Sequence, residues 1–398
     1  MDAALKPRSE SELIEAVEDA IGAGAPFEVV GGGTKRALGR PMQTARTLDL
    51  SDFSGITLYE PEELVITAGA GTTLSEIEEA LNAKGQMLAF EPPDLSQLLG
   101  SAHAGTIGGM LAANLSGPRR IRAGGVRDYI LGIAGVSGRG EAFKAGGRVV
   151  KNVTGYDISK LMAGSFGTLA ALTSLTFKVL PRPETEETLC FSGLDDRAAV
   201  RLMSLAMQSS AEVSATAHVP ADLAGSLGFD HAATLIRLEG VPTSVTARRD
   251  MLASLTKTVA PCAILDAHIS HGLWIALRDV HPLCDGSGRG VWKISVPPMD
   301  GADTLARIKQ SIDARGYYDW AGGLVWVDVP LSDNGGEKII RSAVRAGHAT
   351  LMRAPRDIRA HAEVFSPQEQ ALAALTQRVK TAFDPKGILN PGRMYQGV

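Results

Sequence analysis

The chain has 398 residues, 44% hydrophobic and 21% charged, proportions of a folded protein of two or three domains that exclude global disorder and a continuous coiled coil. Forty basic against 44 acidic side chains leave a net charge of −4, which excludes a protein built mainly to hold nucleic acid. Three well-separated cysteines, Cys190, Cys262 and Cys284, supply neither a disulfide framework nor the ligand spacing of a zinc or iron–sulfur site, and fit a reducing compartment.

The N-terminal residues Met1–Arg8 lack the apolar core of a secretory signal. A helix is expected next. Ser9 and Glu12 have capping-box spacing, Leu13, Ile14, Val17, Ala20 and Ile21 recur at helical period, and Gly22 and Gly24 stop it. Phe27–Val30 reads as a short strand running into Gly31-Gly32-Gly33-Thr34-Lys35, and further strands are expected near Thr47–Leu50 and Leu64–Ala68. Thr73 and Glu76 open a second helix with Leu74, Ile77 and Leu81 inward. The uncharged stretch Leu95–Pro118 is long enough to span a membrane, but its five glycines, His103, Asn114 and several hydroxyl side chains argue against that reading. From Gly100 to Gly147 short apolar pieces alternate with glycines, which predicts strands and tight turns. Leu169–Leu180 reads as a strand and Pro181-Arg182-Pro183-Glu184 as a linker. Beyond it, helices over Asp196–Gln208 and Ser244–Ala260 alternate with strands over Ala233–Leu238 and Leu324–Val329, and a last helix is expected at Gln368–Ala382. The pattern is α+β, with a first domain at 1–181 and a second, smaller α+β domain at 182–398.

Glycine marks the candidate site. Sixteen of the 71 residues from Gly100 to Ala170 are glycine, against 18 in the 228 that follow, so this segment needs positive φ angles or close backbone approach. In Gly31-Gly32-Gly33-Thr34-Lys35, successive N–H groups can form an anion nest, with a hydroxyl and a cation added, although a plain turn has the same composition. It is neither a Walker A loop nor a Rossmann fingerprint. In the second cluster, Ser101, Thr106, Gly108, Gly109 and Asn114 precede Arg119, Arg120, Arg122, Arg127 and Asp128; the glycines admit a flat ring or a phosphate, and the arginines can meet a phosphate or a carboxylate. In the third, Asn152, Thr154, Gly155 and Tyr156 offer close-spaced donors and acceptors, and Gly164-Ser165-Phe166-Gly167-Thr168 is a turn suited to bonding a planar base. Glycine-rich loops around strands remain the alternative for both.

Taken in order, these pieces resemble the FAD-binding domain of the vanillyl-alcohol-oxidase or p-cresol-methylhydroxylase (PCMH) type. The resemblance rests on Gly31–Thr34, Thr106–Gly109, Arg127-Asp128, Gly164–Thr168 before Lys178 and Pro181, and the terminal Asn390-Pro391-Gly392. Within that family the chain resembles the second flavin subunits of bacterial glycolate oxidases, through Arg119-Arg120, the Lys151–Asp157 segment and Trp292–Pro298.

The resemblance implies a PCMH-type two-subdomain FAD domain and a smaller cap, with an FAD-contacting tail at 383–393. It implies FAD as cofactor, held by Gly31, Gly32, Gly33, Thr34, Lys35, Ser101, Thr106, Gly108, Gly109, Asn114, Asn152, Gly155, Tyr156, Gly164, Ser165, Gly167, Thr168 and Asn390. The first glycine turn has no His or Cys for covalent attachment, so dissociable FAD is expected. The implied activity is oxidation of glycolate to glyoxylate, with electrons passed to a catalytic FAD subunit and an iron–sulfur subunit. No nucleic acid takes part. The location is cytoplasmic, with membrane contact at the inner face only through partners. Oxidation of a 2-hydroxy acid needs a cation for the carboxylate and a base for the hydroxyl. Arg120 and Arg122, on one face if that piece is a strand, are the candidates for the first; for the second, His103 and Tyr156 are the candidates, and no catalytic residue is assigned. His268, His271, His281, His348 and His361 do not match the family's cap metal site, so no metal is expected. That mismatch keeps open a flavin relay or assembly subunit whose cofactor never meets substrate; a stand-alone FAD-dependent hydroxy-acid or alcohol oxidoreductase of the same fold is the other alternative, against which the short cap argues.

Overall fold

A computed structural model describes residues 4–103, 105–148 and 155–398. They form two compact units. The first comprises 4–116, 124–181 and 367–398; the second comprises Gly117–Ala123 and Arg182–Ser366. The chain passes between units at Pro181/Arg182, but the tail from Pro367 belongs to the first unit, where the sequence reading had placed it in the second domain.

The first unit begins with helix Glu10–Ala23. The Ser9 hydroxyl accepts from the Glu12 N–H, and Gly24 closes the helix in the left-handed conformation. Leu13, Val17 and Ala20 face inward, onto Phe27, Leu48, Val136, Ile388 and Leu389. Strand Phe27–Val30 pairs in parallel with Arg46–Asp49. A separate antiparallel sheet runs in the order Ile56–Glu60, Val65–Gly69, Ala170–Lys178, Ile130–Ser137, Ala142–Gly146. Its central strand Ala170–Lys178 is buried along nearly its whole length, which is why it reads as continuous Leu, Thr, Phe and Val without alternation.

The glycine-rich segment differs from its expectation. Helices Ile107–Ala113, Arg120–Ala123 and Val126–Tyr129 occupy places where strands and turns are predicted. They are too short to show a 3.6-residue period, and local caps hold them: Thr106 Oγ1 accepts from the Gly109 N–H at 3.2 Å, and Asp128 Oδ2 from the Gly125 N–H at 2.8 Å. Arg120 and Arg122 therefore sit on a helical turn, not on one face of a strand. The Leu95–Pro118 stretch is broken into Ser96–Leu99 and Ile107–Ala113, and no described helix is long and apolar enough to cross a membrane.

The second unit is one antiparallel eight-stranded sheet, ordered Cys262–Leu265, Thr185–Ser192, Ala233–Gly240, Ala215–Val219, Arg315–Asp319, Leu324–Val329, Gly290–Ser295, His348–Arg353. Helices Asp196–Gln208 and Pro242–Thr256 bury Leu202, Ala206, Val245 and Leu252 against Leu189, Phe191, Ile236 and Leu238 of the sheet. A buried charge network lies within it. Arg119 grips both Glu239 oxygens, and Arg237, 1% exposed, stacks over Trp274. Burial works to raise the Glu239 carboxyl, but Arg237 and Arg119 outweigh it and hold it at about 2.

The tail returns to the first unit as helix Gln370–Phe383, whose one buried side chain is Lys380. Its ammonium donates to the Thr168 carbonyl at 2.6 Å, the Asp384 carboxylate at 2.7 Å and the Leu389 carbonyl at 2.9 Å. Asp384 in turn accepts from the Ile388 and Leu389 N–H groups. Both residues of the pair are 2% exposed. Replacing Lys380 with Met strands a carboxylate and two carbonyls in the interior. The expected loss is about 3–5 kcal/mol, read as a lower urea midpoint; a loss below about 1 kcal/mol, the scale of a surface pair, would show that the pair is not buried in solution.

Candidate FAD-binding site

The first unit contains an open cavity where three turns converge. Strand Phe27–Val30 delivers Gly31–Thr34 to one wall, the N-terminus of Ile107–Ala113 forms a second, and Ser165, Phe166 and Gly167 form a third, with Leu50, Ala70, Ala170 and Leu172 as apolar floor. The turns meet because side chains are missing. A Cβ on Gly31 would lie 2.7 Å from Thr106 Oγ1, and one on Gly108 would lie 2.7 Å from the Ala70 carbonyl. At Gly167 the backbone has φ +72°, and a Cβ would meet Asn390 Nδ2 at 2.7 Å.

Lys35 carries the charge of the site. Its ammonium lies against the backbone of Gly105, where a Cβ would stand 2.0 Å away. It donates to Thr34 Oγ1 at 3.5 Å and makes no ion pair among the described residues. Burial pushes it down to about 8, with Asp94 opposing. A buried, unpaired ammonium beside two glycine turns is an arrangement that an anion would relieve.

Asn390 lines the cavity, and both ends of its amide are engaged. Oδ1 accepts from the Val29 N–H at 2.7 Å and Nδ2 donates to the Phe166 carbonyl at 2.7 Å, so it fastens the first strand to the Gly164–Thr168 turn. Thr168 is also structural: its hydroxyl donates to the Ser165 carbonyl, and its carbonyl receives Lys380. Asn114 ends helix Ile107–Ala113 at φ +49°, beside Gly164, and its Oδ1 is buried with no hydrogen-bond partner among the described residues.

Of the sequence candidates, Gly31, Gly32, Gly33, Thr34, Lys35, Thr106, Gly108, Gly109, Ser165, Gly167 and Asn390 line the cavity. Asn114, Gly164 and Thr168 stand behind that lining. Ser101 does not line it; its hydroxyl donates to the His103 carbonyl. Gly155 and Tyr156 do not line it either, and Tyr156 is 93% exposed. Asn152 lies outside the described residues, as do Lys151 and Thr154. Arg120 and Arg122 belong to the second unit. Arg122 is exposed and pairs with Glu212 at 3.3 Å, whereas Arg120 lies over the Trp320 ring at 5.0 Å. Sequence reasoning missed Arg393. It lines the cavity and donates to the Lys35 carbonyl at 2.7 Å; its place directly after Asn390-Pro391-Gly392 was the available signal.

The observed pieces fit a dinucleotide: glycine turns that leave room for a diphosphate, an unpaired cation, an apolar floor and an orphaned buried acceptor. This fold and cradle define an FAD-binding flavoprotein with a PCMH-type α+β fold. The FAD binding domain family matches residues 1–146, and the C-terminal domain of FAD linked oxidases matches residues 361–394. The chain is 36% identical to the glycolate oxidase subunit GlcE of Escherichia coli (strain K12), over 96% of each chain. It is 31% identical to the glycolate oxidase subunit GlcD of Bacillus subtilis (strain 168), over 62% of this chain and 50% of that one. Among solved structures, p-cresol methylhydroxylase has TM-score 0.74 at 14% identity, covering 99% of this chain and 88% of its own, and 4-ethylphenol oxidase from Gulosibacter chungangensis has TM-score 0.75 at 16% identity, covering 98% and 88%. The chain belongs to the FAD-linked oxidoreductase family of the glycolate oxidase subunit GlcE.

Gly108→Ala tests the cradle. The new methyl group meets backbone, which cannot swing aside, so a loss of about 1–3 kcal/mol is expected in urea unfolding. Unchanged stability would mean that the second turn does not approach the Ala70 strand end this closely.

Proposed function

We propose that this chain is the FAD-binding subunit of a glycolate oxidase, acting in the oxidation of glycolate to glyoxylate alongside a second flavin subunit and an iron–sulfur subunit. The observation that carries the reading is the 36% identity to GlcE over 96% of both chains, with the glycine cradle in the matched region. FAD, when bound, supplies the two-electron acceptor for a carbon bearing a hydroxyl.

The chain's own residues bind and orient. Backbone N–H groups of Gly31–Gly33 and the Thr34 hydroxyl would hold the diphosphate, and the Lys35 ammonium would balance its charge. Thr106 caps the start of helix Ile107–Ala113 and stands against Gly31 of this turn. Asn390 and Thr168 hold the third wall in place, and Asn114 offers its free acceptor beside it. Attachment is non-covalent, because neither His nor Cys occurs in the 31–39 turn. The three cysteines are free, one of them buried, and are fewer than the four ligands of an iron–sulfur cluster, so iron–sulfur chemistry is assigned to a partner chain.

The purified chain is expected to carry flavin absorbance that is lost on acid precipitation. Lys35→Met should weaken FAD retention by about tenfold or more, the scale of one lost charge-assisted hydrogen bond. Anaerobic glycolate added to the chain together with its two partner subunits should bleach the flavin bands. If a complex assembled without this chain oxidises glycolate at the full rate, the subunit reading fails. If the isolated chain turns over rapidly with an external acceptor, it is a stand-alone oxidoreductase.

A further inference from the structure

We propose that two copies of this chain associate through the open edge of the eight-stranded sheet, strand Cys262–Leu265 of each pairing antiparallel with that of the other about a two-fold axis. The surface belongs to the second unit alone and depends on no reading of cofactor or substrate.

The two large sheets have four edge strands, and three of them are guarded. An edge strand presents unpaired N–H and C=O groups, which folded proteins blunt with a charge, a bulge or a covering segment. In the five-stranded sheet, Lys144 stands in the middle of edge strand Ala142–Gly146. The other edge of that sheet, Ile56–Glu60, carries a register shift between Ile56 and Leu58 and ends on Glu60. In the eight-stranded sheet, edge strand His348–Arg353 is covered by the chain's own residues 362–366. There the Leu351 N–H donates to the Val364 carbonyl at 2.9 Å, and the Ala349 N–H donates to the Ser366 hydroxyl at 3.0 Å.

Strand Cys262–Leu265 has none of these devices. It pairs with Thr188–Phe191 on one side and has no strand on the other among the described residues. No charged residue stands between Lys257 and Asp266, the pairing register has no shift, and Pro261 lies before the strand rather than within it. Cys262, Ala263 and Ile264 are all exposed, so side chains on both faces of the strand meet water. The surroundings extend this apolar surface. Thirteen large hydrophobic side chains are exposed among the described residues, and six of them fall between 251 and 275: Met251, Leu255, Val259, Ile264, Ile269 and Ile275. Ile264 is paired with Leu189, on the side of the sheet where helix Pro242–Thr256 packs. Helix Ala267–Arg278 packs on the other side, where the Trp274 indole donates to Thr188. Exposed apolar side chains on both helices therefore flank a strand with open backbone, which is the make-up of an interface.

The missing element is an extended, uncharged strand, and a second copy supplies one. Pairing about a two-fold axis satisfies both open edges at once and leaves none over, so assembly stops at two. Charge selects the antiparallel direction. Lys257 precedes the strand and Asp266 follows it, and both are exposed. Antiparallel pairing sets the Lys257 end of each copy beside the Asp266 end of the other, whereas parallel pairing would set like beside like. Asp266 Oδ1 accepts from the His268 and Ile269 N–H groups at the head of the next helix, which holds that carboxylate in place.

The test is sedimentation velocity of the full-length holoprotein, with hydrogen exchange as the structural readout. A dimer is expected at micromolar concentration, dissociating on dilution. Amides of residues 262–265 should exchange more slowly in the dimer than in the diluted monomer. Ile264→Lys puts a charge at the centre of the pairing and should raise the dimer dissociation constant about tenfold or more. Lys257→Glu should raise it several-fold. Leu372→Lys, at an exposed position on helix Gln370–Phe383 of the first unit, should leave it unchanged. All three variants should keep their flavin absorbance and far-UV circular dichroism, which separates lost association from lost folding. A monomer at every concentration, a dimer indifferent to Ile264→Lys, or amides at 262–265 that stay unprotected in the dimer would overturn the proposal. Lys257→Glu without effect would overturn the antiparallel direction. Protection that appears only when another subunit is added would give the edge to a different chain and overturn the second copy as its occupant.

Discussion

A single ammonium group ties the first unit together. Lys380 reaches from an otherwise exposed helix into the interior and ends on three oxygens drawn from separate stretches of chain: Thr168 in the third glycine turn, Asp384 in its own helix cap, and Leu389 before the terminal motif. An ammonium has three donors, and here all three are used. The position of the third cavity wall, the direction of the tail and the register of residues 388–390 follow from this one point. Asn390 then carries the constraint onward to Val29, and Val29 leads directly into the first glycine turn.

The cradle is accordingly made of main chain, with side chains acting as braces. Gly31 touches Thr106, Gly108 touches the carbonyl of Ala70, and Gly167 touches Asn390. Backbone held so close has little freedom to relax, and this suits a long ligand that must be met by N–H groups in fixed directions. The second unit solves a different problem by different means. Its interior holds Arg119, Arg237 and Glu239 in a closed network, while Arg120 and Lys293 are left facing aromatic rings. Charge is satisfied in one place and left open a residue or two away.

Much of this was legible in the sequence. Helix caps at Ser9 and Thr73 were readable because a hydroxyl and a glutamate three residues apart leave a local signature. Strand Leu324–Val329 and helix Asp196–Gln208 were readable because their burial follows the run or the period of their side chains. The glycine turns were readable from composition, since close approach excludes other residues. Helices Ile107–Ala113, Arg120–Ala123 and Val126–Tyr129 were not, because one or two turns cannot display a period and small residues carry no pattern. The division of labour among candidates was also hidden. Asn390 and Thr168 look like cofactor ligands in the chain but are spent on the fold, a fact set by partners more than 200 residues away. Lys293 stood within the Trp292–Pro298 segment, but its surroundings were hidden, since they are a ring brought from Trp320 and a charge brought from Arg120.

The clasp between Val29 and Asn390 joins positions 361 residues apart. During synthesis the first strand, its glycine turn and the sheet beside it leave the ribosome long before the residue that fastens them. The whole second unit is translated in between, and it has no need of the tail to form its sheet. The nascent chain therefore passes through a stage in which the later unit can be complete while the earlier one is open, and the clasp can form only once Asn390 has been made. The third wall of the cradle is therefore fastened only after the whole second unit has been made.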